Sequence, residues 1–475
     1  MVFDEVFRPF IEQSPVSVMF RGTLENVLSV ERLDRLFEAT AQRQYCHELT
    51  FSTCARLLSL VVTKVRPSMN AAYAANREEV AVSVQSVYQK LAGIEPCVSE
   101  TLVRDTARDL GAIVDAMQAR LPGPLPGFEV RIVDGNHLRG TQHRLKELRR
   151  LGDAALPGHT LAVLNPHRRL IEEIVVCTDG HANQKPLFRR LLDKVRPGEC
   201  WIGDRDYSTR EFLFGVKRRH GYFLVRQHGQ LQGELLGRRR RLGRTDTGMM
   251  YEQKMRLTDD RGEQMILRRI TIELDKPTRD HDTEIHLLTN LPKKVLGQRI
   301  TKAYLSRWSI EAAFHKLTMV LRCELNTLGY PEAALFGFCL AVVMYNAVST
   351  VLAALQVAHP QAVAENVQPH ASTKAKAQKR KLSFYYLADE IAGVSRGMAI
   401  VIHAEHWTAA FANQTPPQMA KKLLYLARQV NLAQFFAHPA SEKKRKPRRP
   451  IRYGGHVATS RILQKRKPTP KQSLR

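Results

Sequence analysis

The sequence has few acidic residues for its length and no paired cysteine motif. It contains 46 Asp and Glu against 73 Lys and Arg, so its formal net charge is +27. An excess of this size favours a polyanionic partner, with nucleic acid ahead of an anionic membrane surface. The seven cysteines are odd in number and form no Cys-x-x-Cys motif. This pattern argues against a disulfide framework or a structural zinc site, and it is typical of a reducing compartment.

The sequence also lacks a secretory signal and an uninterrupted apolar run. Its first 14 residues contain early acids and no apolar run behind basic residues. The longest apolar stretch, residues 333–348, is interrupted by Tyr345 and Asn346 and is shorter than the roughly 20 residues that a membrane span needs. We therefore predict a buried helix there, a cytoplasmic protein and no membrane partner.

A chain of 475 residues is too long for one ordinary core, and its character changes at several points. Residues 1–120 are predicted to be helical, and their short basic helices indicate either a DNA-reading helix-turn-helix module or simple packing. The turn-rich segment 121–127 is predicted to be a linker. The remaining segments are predicted as the first part of an α/β domain (128–226), a β-strand insertion (227–295), the rest of the α/β domain (296–350), a C-terminal helical region (351–440) and a basic tail (441–475).

Within the α/β domain, two predicted strands are each followed directly by an aspartate. FEVRIV, residues 128–133, precedes Asp134, and CWIG, residues 200–203, precedes Asp204. If these strands are neighbours in one sheet, both carboxylates lie at the same end of it. Further strands are predicted over residues 160–164, 170–177 and 222–225, with helices over 185–195 and 209–219. This order predicts a mixed β-sheet flanked by helices.

A third carboxylate, Glu311, lies in a predicted helix over residues 304–321. At 3.6 residues per turn the apolar residues of this segment form one stripe, which predicts packing against the core. A different face carries Tyr304, Arg307, Glu311, His315 and Thr318. If the helix packs on the sheet, it can bring Glu311 to the two aspartates.

Three carboxylates in one pocket repel each other unless cations lie between them. Oxygen ligands of this kind suit Mg²⁺, and two such ions can activate a water or a 3′-hydroxyl and stabilise the leaving oxygen of a phosphodiester. Each carboxylate also has a purely structural interpretation. Asp134 suits an Asp-Gly turn, and Asp204 suits a surface ion pair. Glu311 suits an ion pair with Arg307 or His315 on its own helix.

Two further stretches are rich in arginine and lysine. Residues 237–244 are predicted to be a charged turn, ahead of three strands of the insertion at 254–257, 264–273 and 284–289. Residues 443–475 contain 13 Lys or Arg and no acid, and such a tail is predicted to be disordered. Both stretches are interpreted either as solvated charge or as sequence-independent phosphate contacts. The predicted contacts are Arg238, Arg239, Arg240, Arg241, Lys443, Lys444, Arg445, Lys446, Arg448 and Arg449.

The block around Glu311 resembles the DDE transposases of bacterial insertion sequences, and more narrowly the insertion-sequence-four family. The third block of that family is Tyr-x2-Arg-x3-Glu-x6-Lys, and Tyr304, Arg307 and Glu311 follow its spacing. The lysine of the family falls on Thr318 in this sequence. Lys316 is near, but it lies roughly 120° around the helix from Tyr304.

Two earlier blocks are similar to the same family. The first block matches IVDG, which contains Asp134, and the second matches IGDR, which contains Asp204. The family also carries a β-strand insertion between its second and third blocks, where residues 227–295 lie. The resemblance covers about residues 128–350.

The resemblance implies an α/β fold: an RNase H-like mixed β-sheet flanked by helices, with the β-rich insertion, a helical N-terminal DNA-binding region and a basic disordered C-terminal tail. Asp134, Asp204 and Glu311 are implied to hold two Mg²⁺ ions, with Mn²⁺ as a substitute. Tyr304 and Arg307 are implied to grip the strand near the cleaved phosphate. The implied activity is cleavage of DNA at the inverted-repeat ends of a mobile element and joining of the freed 3′-hydroxyls to target DNA.

Several finer expectations depend on the same resemblance. His315, which shares the face of Tyr304, is interpreted as a DNA contact in place of the missing lysine. Tyr251 is the only aromatic residue between Phe223 and Tyr304, so it is the candidate for holding a flipped base. A homodimer is expected in the DNA complex, in association with the bacterial nucleoid. Two alternatives stay open: a catalytically impaired, transposase-derived DNA-binding protein, and a metal-dependent nuclease that cuts without joining.

Overall fold

The computed structural model describes residues 3–44, 48–138, 158–180, 185–278, 281–325, 327–362 and 380–438. These residues form a nine-stranded mixed β-sheet with helices on both faces. In chain order the strands are β1 Glu129–His137, β2 His159–Asn165, β3 Leu170–Cys177, β4 Glu199–Gly203, β5 Tyr222–Arg226, β6 Glu234–Thr245, β7 Gly248–Thr258, β8 Gln264–Leu274 and β9 Glu284–Thr289. Their order across the sheet is β3-β2-β1-β4-β5-β9-β8-β7-β6.

The sheet combines a parallel centre with antiparallel flanks. β1 is antiparallel to β2, and β2 is antiparallel to β3, whereas β4 is parallel to both β1 and β5. β9 pairs antiparallel with β5, and β8, β7 and β6 follow as an antiparallel meander. The predicted mixed sheet is confirmed. The strands of residues 227–295 extend this sheet and do not form a separate one.

Side chains of the central strands alternate between two hydrophobic cores, one on each face of the sheet. Ile132 of β1 packs in the larger core, and its neighbour Val133 packs in the smaller one. Trp201 and Ile202 of β4 divide in the same way. Because both faces are covered at this level, β4 appears in the sequence as a short continuous apolar run, and Ile132 and Val133 form a shorter one directly before Asp134.

The helices of the described residues are α1 Arg8–Gln13, α2 Pro15–Val27, α3 Val30–Thr40, α4 Phe51–Val62, α5 Met69–Ala75, α6 Val84–Ala92, α7 Pro96–Ala116, α8 Lys185–Leu192, α9 Arg210–Arg218, α10 Gly297–Leu305, α11 Trp308–Met319, α12 Pro331–Ala358, α13 Phe384–Val401, α14 Ala404–Phe411 and α15 Pro416–Ala427. The helical prediction for residues 1–120 is confirmed, and its DNA-binding role stays a prediction. α7 and α12 pack against β3 on the larger core, together with α2, α4 and α15, while α8 and α9 cover the other face.

α12 is the apolar centre of the larger core. It is 28 residues long, and among the described helices it alone is both long and apolar enough to cross a membrane. Its most apolar window is 94% buried inside the protein, so the predicted buried helix is confirmed, although it is longer than predicted. Asn346, which interrupts the apolar run, accepts a hydrogen bond from the Ile171 N–H and donates one to the Ile171 carbonyl, both at 2.9 Å. This amide ties α12 to the edge strand β3.

The single helix predicted over residues 304–321 is wrong, because the segment forms two helices. α10 ends at Leu305 and α11 begins at Trp308. Between them the Arg307 N–H donates to the Tyr304 carbonyl at 3.1 Å, and the Ser306 hydroxyl donates to the Ala303 carbonyl at 2.6 Å. These short-range hydrogen bonds replace the regular helical ladder. In the predicted apolar stripe of α11, Ile310, Ala313 and Leu317 are buried and Phe314 is partly buried.

The charged turn predicted over residues 237–244 is also wrong. This stretch belongs to β6, an edge strand that among the described strands pairs only with β7. Its register shifts between Leu236 and Arg240 and again between Arg241 and Gly243. An edge strand with charged side chains resists pairing with other chains, and it needs no apolar alternation. That is why the period-two pattern of a buried strand is missing from its sequence.

The predicted linker, residues 121–127, has no regular secondary structure but is not a free connection. Leu121 and Leu125 are buried, and the Leu121 N–H donates to the His167 carbonyl at 2.8 Å. The segment therefore packs against the turn between β2 and β3.

Candidate active site

Asp134 and Asp204 lie at the same level of the sheet. β1 and β4 are parallel, and Ile132 pairs with Ile202, two residues before each aspartate. β4 ends at Gly203, whereas β1 continues for three residues beyond Asp134. Asp134 is therefore inside its strand and not after its end as predicted. It lies just beyond the last residue of β1 that pairs with β4. The parallel register brings the two carboxylates together.

The turn after β4 orients Asp204. Its carboxylate accepts a hydrogen bond from the Asp206 N–H at 2.8 Å and so caps a single 3-10 turn, Arg205–Tyr207. A Cβ atom on Gly203 would lie 2.8 Å from the ring of Tyr207. Only glycine therefore lets this buried ring pack over the strand end beneath Asp204.

The guanidinium of Arg307 connects Asp134 to Glu311. Its Nη1 is 3.3 Å from Asp134 Oδ2 and 2.6 Å from Glu311 Oε1. The two carboxylate oxygens are therefore at most about 6 Å apart, the sum of these distances. Arg307 is 7% exposed, and its guanidinium carbon lies 4.5 Å from the centroid of the Trp308 ring. The helical ion pair expected as a structural alternative for Glu311 is present, and the same arginine places Glu311 beside Asp134.

Burial and a neighbouring carboxylate disfavour the charged form of each aspartate. Burial, followed by the charge of Asp204, raises the pKa of Asp134 to about 7. Burial, followed by the charge of Asp206, raises the pKa of Asp204. Burial also raises the pKa of Tyr304 to about 12, so its phenol stays neutral at physiological pH. When all three carboxylates are ionised, their negative charge exceeds the single positive charge of Arg307, and such an environment attracts a further cation.

The donor chemistry of the site fits a hard divalent cation. Asp134, Asp204 and Glu311 offer carboxylate oxygens, the ligands that Mg²⁺ prefers. As the side chains stand, the part of the chain that the structure describes contains no group of three or more His, Cys, Asp or Glu placed to hold a metal ion together. In this arrangement the cation between Asp134 and Glu311 is the arginine.

The other predicted residues of α11 do not converge on the carboxylates in the same way. His315 and Thr318 are exposed, and the Thr318 hydroxyl donates to the Phe314 carbonyl at 3.0 Å. Lys316 points toward the core, with its Nζ 5.0 Å from the centroid of the Phe384 ring. Burial lowers the pKa of Lys316 to about 8. Lys316 therefore does not replace the lysine expected at position 318.

The arginine run lies on β6, five strands from β4 in the sheet order. Arg239 pairs with Glu273 at 2.9 Å, and its guanidinium carbon is 4.1 Å from the centroid of the Tyr251 ring. Arg240 pairs with Glu252 at 2.8 Å. The members of the run that form no ion pair among the described residues are Arg238 and Arg241. The predicted tail contacts lie outside the described residues: Lys443, Lys444, Arg445, Lys446, Arg448 and Arg449.

Two aromatic side chains beside the site were missed in the sequence. Tyr207 is 1% exposed, and its hydroxyl has no hydrogen-bond partner within the described chain. Burial, followed by the charge of Asp134, raises the pKa of Tyr207 well above its ordinary value. Trp308 is 57% exposed beside Arg307. Tyr207 is close in sequence to Asp204, and Trp308 follows Arg307 directly. This closeness could have suggested both residues, but sequence alone does not show where either ring points.

Comparison with known families found a domain match that spans this site. A family model described as the Transposase DDE domain matches residues 125–347, a region that runs from just before β1 into α12 and includes Asp134, Asp204 and Glu311. No curated protein matches the chain. The match agrees with the resemblance in the sequence at the level of a transposase DDE domain, and it suggests DNA cleavage and transfer in transposition, with DNA as the partner. The narrower assignment to the insertion-sequence-four family stays a prediction.

Proposed function

We propose that this protein is a DDE transposase of the insertion-sequence-four family, which cuts DNA at the ends of a mobile element and joins the freed 3′ ends to target DNA. The observation that carries the proposal is that Arg307 joins Asp134 to Glu311, while the register of β1 and β4 sets Asp204 beside them. All of these residues lie in the region that matches the Transposase DDE domain. The sheet order β3-β2-β1-β4-β5 supports an RNase H-like catalytic core.

In this proposal each side chain of the site has a task. Asp134, Asp204 and Glu311 hold two Mg²⁺ ions, or Mn²⁺, which when bound activate the attacking oxygen and stabilise the leaving oxygen. Arg307 donates to two carboxylates in the free protein and so positions Asp134 beside Glu311. When DNA binds, the same guanidinium contacts the strand near the cleaved phosphate. Tyr304 remains a neutral hydrogen-bond donor because its pKa is about 12.

The partner in this proposal is DNA, and the net charge of +27 supports it. His315, Arg238 and Arg241 are free to contact phosphates, since none of them forms an ion pair within the described part of the chain. The basic tail adds sequence-independent contacts. We further propose that the protein acts as a homodimer on paired ends, in the bacterial cytoplasm at the nucleoid.

A strand-transfer assay tests the function. The substrates are a duplex that carries the inverted repeat flanking the coding region, a plasmid target and Mg²⁺. The wild type is expected to give joined product. Glu311→Gln is expected to lose cleavage and joining by at least about 100-fold, since a lost metal ligand removes several kcal/mol of transition-state stabilisation. The DNA affinity of Glu311→Gln should equal that of the wild type. Glu78→Gln makes the same substitution at an exposed position distant in sequence from Glu311 and is the matched control.

Each product pattern in this assay has a distinct meaning. Cut DNA without joined product would assign a nuclease, and binding without either product would assign a transposase-derived DNA-binding protein. Retained cutting by Glu311→Gln would contradict the role given to Glu311.

A further inference from the structure

A cleft of about 640 Å³ lies beside Asp134 and has no role in the function proposed above. One wall is β1 immediately after Asp134, at Gly135. The other wall is the end of α11, at Thr318, and the segment that follows it, at Arg322. Lys64, from the loop after α4, completes the lining. This basic cleft is therefore continuous with the strand and the helix that carry the proposed catalytic residues.

Lys64 has a backbone conformation that favours glycine. Its φ is +64°, in the left-handed region that glycine adopts readily and other residues adopt at a cost. It directly follows Thr63, the C-cap of α4, and glycine is common at the position after a C-cap. A strained lysine at such a position points to a task for its side chain. Its Nζ donates to the Met319 carbonyl at 3.3 Å, which holds the ammonium at the end of α11 and leaves two N–H donors without a partner in the described chain.

Arg322 supplies a second cation to the basic cleft. Its Nη1 donates to the Pro67 carbonyl at 2.5 Å, and its backbone N–H donates to the Val62 carbonyl at 2.9 Å, so it is anchored to the loop that carries Lys64. Neither cation forms an ion pair within the described residues, although Glu324 also lines the cleft. Burial, followed by the charge of Arg322, lowers the pKa of Lys64, so the two cations are close enough to repel. An anion between them would relieve this repulsion.

We propose that the basic cleft binds a phosphate of the DNA strand that enters the catalytic site, an inference that rests on the proposed function. Thr318 follows Glu311 by two helical turns, or roughly 10 Å along the helix axis. That distance is the rise of about three nucleotides along one strand of B-DNA. Lys64 brings an ammonium to the end of the same helix from a distant part of the chain.

The test measures how salt weakens DNA binding, because a lost phosphate contact changes this dependence and a lost structural contact does not. Fluorescence anisotropy follows binding of a labelled mixed-sequence duplex of about 20 base pairs to the full-length wild type and to Lys64→Gly, from about 0.05 to 0.3 M NaCl. The slope of log K against log salt should become shallower by about 0.9, and Kd at about 0.15 M NaCl should rise about five-fold. Lys64→Arg should restore both values. Glycine suits the backbone at this position, so the thermal unfolding midpoint of Lys64→Gly should not fall.

Two variants serve as matched controls. Gln118→Gly makes the same backbone change at an exposed residue after α7 with φ of +56°. Lys421→Ala removes one exposed lysine from α15. Neither variant should change the slope.

The outcomes separate this inference from the proposed function. An unchanged slope in Lys64→Gly, or an equal loss in Lys421→Ala, would overturn the assignment of the cleft. A lower thermal midpoint with an unchanged slope would show that Lys64 only caps α11. Cleavage of end DNA is read with the same proteins. If the wild type cleaves and Lys64→Gly binds DNA normally, the cleft assignment alone is refuted. If binding depends on Lys64 but no protein cleaves, the transposase function alone is refuted. Absence of DNA binding refutes both.

Discussion

Replacing Asp134 by asparagine is expected to stabilise the metal-free protein at about pH 8, although it removes a residue that we assign to catalysis. The pKa of Asp134 is about 7 in the folded protein, against 3.8 as its ordinary value. The folded protein therefore keeps a proton that the unfolded chain releases as the pH rises from about 4 to about 7, and stability falls through that window. At about 1.4 kcal/mol per unit, the complete penalty above pH 7 is about 4 kcal/mol.

The asparagine removes this penalty and also one attraction. It retains an oxygen that can accept from the Gly135 N–H, which lies 2.8 Å from Oδ1 of the aspartate, but it loses the charge attraction to Arg307. We expect a net gain of about 2 kcal/mol at pH 8 and a gain near zero at about pH 5, where the wild-type penalty is only partly developed. For a chain of this size such a gain raises the unfolding midpoint by a few degrees.

The assay is thermal unfolding of the wild type, Asp134→Asn and Asp260→Asn in EDTA at about pH 5 and pH 8. Asp260 is an exposed aspartate between β7 and β8 and serves as the control. Mg²⁺ added at about pH 8 should raise the midpoint of the wild type and leave that of Asp134→Asn unchanged, since a ligand that binds only the folded site stabilises it. The reasoning is refuted if Asp134→Asn gains nothing at pH 8, or gains as much at pH 5.

Two further changes test the buried groups around the site. Tyr207→Phe removes a buried hydroxyl that has no partner among the described residues. The unfolding midpoint should therefore stay level or rise by the equivalent of up to about 1 kcal/mol. A clear fall in the midpoint would show that the hydroxyl forms a hydrogen bond. Lys316→Met replaces a partly buried lysine whose pKa is lowered to about 8. The folded protein therefore resists the charged form, and the wild type becomes more stable as the pH rises from about 8 to about 10. The midpoint gain of Lys316→Met should therefore be larger at pH 7 than at pH 10, and a gain independent of pH would contradict the lowered pKa.

Much of the candidate site could be predicted because its signals are local. An apolar run followed by Asp204, and the spacing from Tyr304 through Arg307 to Glu311, can be seen without any knowledge of contacts. The two helices α10 and α11 break the predicted helix but barely disturb this face, because Arg307 itself keeps helical backbone angles. The residue spacing is therefore robust to an error in the element boundaries.

Other features could not be predicted because they depend on pairing between distant segments. The β6 strand lacks the alternation of a buried strand, and only its partner β7 and its place at the sheet edge make it a strand. The meander of residues 227–295 joins the central sheet through β9 and β5, a contact for which no local pattern exists. The left-handed conformation of Lys64 is equally invisible in the sequence, as is its bond to the end of α11.

The sequence by itself determined the charge of the protein and the class of most of its elements, and it singled out the three candidate carboxylates, because composition and periodicity are properties of neighbouring residues. Only the tertiary structure decided how these groups act on each other. The parallel register of β1 and β4 sets Asp134 beside Asp204, and burial between two cores raises the pKa values of both. Desolvation and repulsion act through space, so they exist only after the chain has folded and distant residues have become neighbours.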